Sequence, residues 1–423
     1  MNTKLFVTGI VAAAFIAWLL NTPVPETLGE PWKFRLVIAH RKIIQLAAEV
    51  QSFVTSKSYI ATVRQLHHQS SRFFSLFNSV ESKTTNATYT TFDGVSVLVY
   101  TPLSKSKHLQ PAFIYIHGGG KAYGSIALYE GLTRQFAERL QIPVVSVEYR
   151  LSPENPMLSD FEDCLKATVW FMKHSRQFGV DNKRIAIGGD SAGGGSLSAA
   201  VSQHVHDQTD MPDLALQVLL YPNTQVIDLH LPSHQIYRHH FKEGGFLLSV
   251  RAIAVFAGLS IIQTYDKPFV KTMTASNHTI PALKAHPEWN KCLDHELVPK
   301  ELRNPKYYTP WKADDTGDDA FWDTYGNLIQ DVRTNPGLRE DLKNLPPAFV
   351  ATCDLDSLRD DGIIYAKRLE KAGVPVKLIN YEGAFHAITW LGGGLSHVME
   401  FETGKQMIND IVEHISETLK INQ

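Results

Sequence analysis

The sequence predicts an α/β fold: a mostly parallel central sheet, helices on both faces, and a helical cap. Three observations predict it. From Ala112 onward, short apolar runs alternate with amphipathic stretches at helical spacing, the rhythm of strand–helix–strand units in a parallel sheet. Two of these runs end directly in glycine-rich turns, His117-Gly118-Gly119-Gly120 and Gly189-Asp190-Ser191-Ala192-Gly193. Between Tyr221 and Pro347 the rhythm breaks for roughly 125 residues, too long for a loop and therefore read as added helices.

Composition narrows the class. The chain has 423 residues, of which 44% are hydrophobic and 20% charged. It can bury a sizeable core and is not a disordered protein. The net charge of −2 offers no basic face for nucleic acid. Three cysteines, Cys164, Cys292 and Cys353, allow one bridge at most, so the fold stands on its core. No repeat of solenoid or propeller length stands out. His295-Glu296 starts like a zinc-protease motif, but position 299 is proline, so no metal or other cofactor is expected.

The elements follow in chain order. Leu5 to Leu20 is 16 residues without a charge, about 24 Å as a helix against about 27 Å for the core of an endoplasmic-reticulum bilayer. No small-residue cleavage site follows, so an uncleaved signal-anchor over residues 1–22 is expected. The positive charges flanking it nearly tie. Two sequons, at Asn86 and Asn277, favour a luminal body behind a short cytosolic tail.

Pro31 to Phe77 reads as two or three helices, within an amino-terminal cap segment over 23–90. A polar stretch, Glu81 to Asn86, reads as a connector. The catalytic domain is expected over 91–423, with a cap insertion at about 222–346. Strands are predicted at Val95–Tyr100, Ala112–Ile116, Val144–Val147, Arg184–Ile187, Leu216–Leu220, Ala348–Thr352 and Val376–Ile379. Helices are predicted at Leu128–Leu140, Phe161–Phe178, Ala192–His206, Leu358–Ala372 and His397–Leu419. Phe246–Ile262, broken only by Arg251, reads as a packed helix of the insertion, with a second membrane span as the lesser reading.

The glycine turns carry the chemistry. In Gly-x-Ser-x-Gly a tight strand-to-helix turn pushes the Ser191 hydroxyl out at the carboxyl edge of the sheet. The helix amino terminus behind it favours developing negative charge. After the first strand, the amides of Gly118, Gly119 and Gly120 are unshielded by side chains. With the amide of Ala192 they form a candidate oxyanion hole, with His117 as support for the loop.

The two turns in this order resemble the hormone-sensitive-lipase group of α/β-hydrolases, marked by HGGG and, about 70 residues later, GDSAGG. Glu148-Tyr149-Arg150-Leu151-Ser152-Pro153-Glu154 resembles that group's YRLAPE segment. The amino-terminal anchor, Glu30-Pro31-Trp32 and the sequons resemble the arylacetamide deacetylase and neutral cholesterol ester hydrolase branch. The resemblance implies an α/β-hydrolase fold in a single-pass, type II protein of the endoplasmic-reticulum membrane. It also implies hydrolysis of carboxylic esters, aryl amides, glycerides or sterol esters.

A serine nucleophile needs a base, and the base an orienting carboxylate, in the chain order Ser, acid, His. Asp354 and Asp356 follow the strand Ala348–Thr352, Asp354 being nearer its end. The group's motif places the acid two residues before Leu-Arg-Asp, which selects Asp356. His386 follows the next strand and is the candidate base, with His397 as the lesser one. Three departures from the group's pattern stand out: Lys121 in place of an aromatic, Gly195 in place of Asn, and Ala122 where some relatives carry a cysteine matched to that of Cys353. The resulting reading is a membrane-anchored serine hydrolase of lipophilic esters. A catalytically silent ligand-binding protein of the same fold is the alternative, and a serine peptidase is a weaker one.

Overall fold

The computed structural model describes residues 3–75, 82–104, 106–241, 248–284, 286–310, 317–394 and 400–421. An eight-stranded sheet in the order β1-β2-β4-β3-β5-β6-β7-β8 forms its centre. The strands are β1 (Thr85–Phe92), β2 (Val95–Pro102), β3 (Gln110–Ile116), β4 (Val144–Val147), β5 (Val180–Asp190), β6 (Leu216–Leu220), β7 (Ala348–Leu355) and β8 (Val376–Phe385). The β1–β2 and β2–β4 pairs are antiparallel and all the others parallel, so the expected mostly parallel sheet is the one found.

The alternation along β3 explains why both faces are covered. Phe113 and Tyr115 enter one core cluster, and Ala112, Ile114 and Ile116 enter the other. A strand buried on both faces reads as a continuous apolar run. Amino-terminal to the sheet lie α1 (Thr3–Leu20), α2 (Pro31–Thr55) and α3 (Tyr59–Ser75). Within the sheet's crossovers come α4 (Ile126–Leu140), α5 (Ser159–His174) and α6 (Ala200–His206). Phe136 of α4 packs on the first face and Phe171 of α5 on the second. Burying such a side chain contributes about 1.5–3 kcal/mol.

Between β6 and β7 the chain forms α7 (Pro232–Phe241), α8 (Val250–Ile261), α9 (Lys267–Thr274), α10 (Pro281–Lys284), α11 (Pro287–Cys292) and α12 (Asp319–Ile329). Ser249, Asp266 and Asp318 start α8, α9 and α12, each side chain accepting a bond from a first-turn amide, as helix starts require. This insertion has a core of its own around Ile253, Phe269, Met273 and Phe321. After β7 come α13 (Arg359–Lys371), α14 (Ile388–Gly394) and α15 (Glu402–Thr418).

Three differences from the sequence reading concern position. The stretch read partly as a connector continues into a strand, so the first strand is Thr85–Phe92 and not Val95–Tyr100. Only the two end residues of β1 are buried, so this edge strand shows no alternating apolar pattern. The predicted helix from Ala192 to His206 begins with a π-helical stretch over Gly193–Ala199. Helix α15 begins at Glu402, and His397 lies outside the described residues, as do Phe77, Glu81 and Phe246.

Among the described residues no helix is long and apolar enough to cross a membrane. Helix α8 spans 12 residues, about 18 Å, and Ile253, Ala254 and Leu259 on it are buried, which sets aside the second-span reading. Helix α1 has 18 residues and exposes Phe15, Ile16 and Trp18. Lys42 of α2 holds its end, donating to the carbonyl oxygens of Trp18 at 2.8 Å and Leu19 at 3.3 Å. Cys164, Cys292 and Cys353 are buried thiols outside any disulfide.

Candidate active site

The carboxyl ends of β3, β5, β7 and β8 converge on one point. Ser191 follows β5 directly and has φ 55°. That left-handed conformation costs a non-glycine residue of order 1–3 kcal/mol, and it lifts the side chain out of the strand. The turn is possible because the neighbouring glycines let it press against β3. A Cβ on Gly189 would lie 2.0 Å from the Ile116 carbonyl oxygen, and one on Gly193 would lie 2.3 Å from that of His117.

His386 follows β8 by one residue, and Asp356 follows β7 by one. The Ser191 Oγ lies 2.9 Å from His386 Nε2. His386 Nδ1 lies 2.7 Å from Asp356 Oδ2. The second oxygen of Asp356 accepts the Leu358 amide at 2.9 Å. All three side chains are buried. Asp356, and not Asp354, is therefore the carboxylate brought to the imidazole. The Tyr221 ring stands edge-on to His386 at 5.1 Å, and its hydroxyl bonds Thr389 Oγ1 at 2.5 Å.

Asp190 organises the glycine loop. Its Oδ1 accepts the Tyr115 hydroxyl at 2.9 Å and the Gly118 amide at 2.8 Å, and its Oδ2 accepts the Tyr129 hydroxyl at 2.9 Å. Burial pushes the Asp190 carboxyl up, while these three donors pull it down. Burial also pushes both phenols well above their ordinary value, so they remain donors. The Gly118 amide is thus committed to Asp190, which corrects its place among the expected oxyanion donors. Gly119, Gly120 and Ala192 do face the cleft beside Ser191.

His117 is fully buried and its pKa is lowered to about 4 by burial. It is neutral at pH 7, stacks on Tyr149 at 4.3 Å and bonds the Gly118 carbonyl at 2.8 Å. The Tyr149 hydroxyl donates to the His117 carbonyl at 2.9 Å. His117 is a strut of the loop. Arg150 grips Asp163 through two parallel bonds, at 2.8 and 2.9 Å. Arg64 of α3 reaches Glu154 at 2.9 Å and the Ala122 carbonyl at 2.6 Å, tying the amino-terminal cap to the glycine loop.

The departures have local reasons. Lys121 is buried and ion-paired with Asp160 at 3.4 Å. A Cβ on Gly195 would lie 2.0 Å from the Asn223 carbonyl oxygen, so this packing excludes a larger residue. His295 faces Asp228 at 2.7 Å and Tyr308 at 3.0 Å. No cluster among the described residues is placed to hold a metal ion.

Sequence reasoning missed Asp190, Tyr115, Tyr129 and Tyr221. One signal was present: a carboxylate ending the apolar strand IAIGGD must find donors, because a buried charge without them is expensive.

A cleft of about 1780 Å³ opens above Ser191. Its walls come from α2, α3 and α8, and Leu248, Ala252, Phe256, Leu259, Trp390 and Leu391 line it together with Ser191. Such a space takes a large, mostly apolar ligand.

A family model described as an alpha/beta hydrolase fold matches residues 113–288 and 285–389. Arylacetamide deacetylase from Oryctolagus cuniculus is 32% identical over 98% of each chain. Neutral cholesterol ester hydrolase 1 from Pongo abelii is 31% identical over 99% of this chain and 100% of its own. Among solved structures, a hyperthermophilic esterase from the archaeon Pyrobaculum calidifontis aligns with a TM-score of 0.62 and 25% identity, over 89% of this chain and 96% of that one. With its fold and nearly its whole length shared in this way, the chain belongs to the α/β-hydrolase family, in the branch of the arylacetamide deacetylases and neutral cholesterol ester hydrolases.

Proposed function

We propose that the chain is a membrane-anchored serine hydrolase that cleaves lipophilic carboxylic esters through an acyl-enzyme. It is a carboxylic ester hydrolase by family. The observation that carries the mechanism is the run of contacts from Ser191 through His386 to Asp356, at 2.9 and 2.7 Å, under an apolar cleft.

His386 Nε2 takes the Ser191 proton as Oγ attacks the acyl carbonyl, and Asp356 stabilises the imidazolium. The carbonyl electron pair moves onto oxygen, where the amides of Gly119, Gly120 and Ala192 receive it. As the intermediate collapses, His386 gives its proton to the leaving alcohol. Water, deprotonated by His386, then attacks the acyl-serine and releases the acid. The names of the relatives and the size of the cleft support sterol esters and aryl amides as substrates, and the same cleft has room for glycerides.

The test is hydrolysis of p-nitrophenyl esters of graded chain length. Wild type turns them over with a preference for longer acyl chains, and Ser191→Ala loses about 10⁴-fold or more in kcat. A folded wild type inactive on all of them would return the chain to the ligand-binding reading.

In this reading the expected signal-anchor, residues 1–22, holds the chain at the membrane, with the body in the lumen of the endoplasmic reticulum. Asn86 is exposed on β1, whereas Thr279 of the other sequon is buried, so the glycan is assigned to Asn86. Protein made with microsomes then shifts in mobility on glycosidase treatment, and Asn86→Gln abolishes the shift. An unglycosylated wild type, open to protease from the cytosolic side, would reverse the topology.

A further inference from the structure

Helix α2 carries apolar residues on two opposite sides. Phe34, Val37, Ile38, Ile44 and Ala48 are buried against the body. Trp32, Ile43, Leu46, Val50, Phe53 and Val54 face outward, with Phe53 90% and Val54 72% exposed. At about 100° per residue these six fall within an arc of about 100°. They run along about 33 Å of the helix. Ala39, on the same arc, is buried, so the unbroken part of the stripe is Ile43 to Val54; scattered exposed apolar residues need no explanation, but five on one face of a helix do.

We propose that this stripe rests in the surface of a lipid bilayer and that lipophilic esters enter the cleft from the lipid beside it. The second half of that statement rests on the reading of the site as a hydrolase of lipophilic esters. Three observations identify lipid as the occupant. Arg35 and Lys42 border the stripe on one side, and Glu49 is the one carboxylate of the helix, while Lys33 on the other side is paired with Glu30. An apolar face carrying Trp and Phe beside a basic border suits an anionic membrane surface. The exposed apolar residues of α1 adjoin the stripe, because Lys42 bonds the last carbonyls of α1 and lies over the Trp18 ring at 5.1 Å. Leu36, exposed on the outer side of α2, also lines the cleft, so the stripe runs into the mouth of the site.

A second copy of the chain is the poorer fit. A stripe one helix wide, about 10 Å, and about 33 Å long offers about 330 Å², well below the roughly 800 Å² per partner of a stable interface.

The experiment uses the full chain reconstituted in vesicles of phosphatidylcholine and phosphatidylserine. A Phe53→Cys variant is labelled with an environment-sensitive fluorophore, the three native thiols being buried. A Tyr89→Cys variant, exposed on β1, serves as the remote control. Brominated lipids quench the probe at 53 and leave the probe at 89 bright. Equal brightness at both positions would overturn the proposal, as would a dimer whose formation shields 53 from the quencher.

A second arm uses the triple variant Val50→Glu, Phe53→Glu, Val54→Glu, none of which lines the cleft. Hydrolysis of a long-chain ester dissolved in the vesicles falls about tenfold, since each of three anchoring side chains is replaced by a charge. Hydrolysis of p-nitrophenyl butyrate in solution stays unchanged. Equal loss on both substrates would overturn the delivery route. A wild type that hydrolyses neither ester would remove the esterase reading, while quenching at 53 would still decide the docking.

Discussion

The floor of the site and the cap above it are held together differently. On the floor, every group that positions Ser191 is buried and tied by short bonds to the sheet: Asp190 receives three donors, and Asp356 two. The cap insertion has its own apolar cluster. It is linked to the floor through buried polar contacts, such as Ser233 with Ser357 and Gln225 with Asp361, and through the apolar side chains of Leu358 and Ile364. The floor thus holds its polar groups in place through many short bonds, as a preorganised site requires. The cap sets which molecule fits, and it can change its side chains without disturbing the bonds beneath.

That contrast can be broken from either side. The larger effect is expected in the cap. Asp228 and His295 form a nearly buried ion pair at 2.7 Å. Burial alone would raise the Asp228 carboxyl, but the His295 bond and charge hold it well below its ordinary value of 3.8. Burial alone would lower His295, but Asp228 raises it above 6.5. The stabilisation is therefore lost as pH falls through the depressed Asp228 value, and again as pH rises through the raised His295 value. Asp228→Asn should cost about 3–5 kcal/mol at about pH 6, measured by urea unfolding. The difference from wild type should shrink at about pH 9. An equal loss at both pH values would mean that packing, and not the charge pair, holds this part of the cap.

The smaller effect sharpens the floor. Both oxygens of Asp190 are taken up by Tyr115, Gly118 and Tyr129, which makes it a positioning residue for the glycine loop. Asp190→Asn presents an amide where three donors expect oxygens. The loop should loosen, with kcat falling about 10²–10³-fold, as for the loss of one oxyanion donor. KM should change little. Loss in KM with kcat intact would place Asp190 in substrate binding instead.

Legibility in the sequence followed the same division. The strands from β3 to β8 were readable because burial on both faces makes them apolar runs, and the candidates Ser191, Asp356 and His386 because each follows its own strand. The acid was the exception: the residues left Asp354 and Asp356 open, and the strand end favoured the wrong one. Strand β1 was hidden by its exposed edge. The commitment of Gly118 to Asp190 was also hidden, because the partners lie 72 residues apart and each had a plausible role alone. In the cap, His295 and Asp228 are 67 residues apart, and no local pattern announces such a pair. Gly195 looked like a loss from the motif until the Asn223 backbone appeared against it.

The three thiols divide the molecule in a way that bears on how it comes apart. Cys164 is buried beneath one face of the sheet, Cys353 is on β7, one strand in from the edge, and Cys292 is within the insertion. Each is shut off from reagents while its own neighbourhood is closed, and burial pushes the Cys164 and Cys353 thiols well above their ordinary value. The chain therefore carries a native clock for each of its parts. The order in which the sulfurs become reactive is the order in which sheet and insertion open.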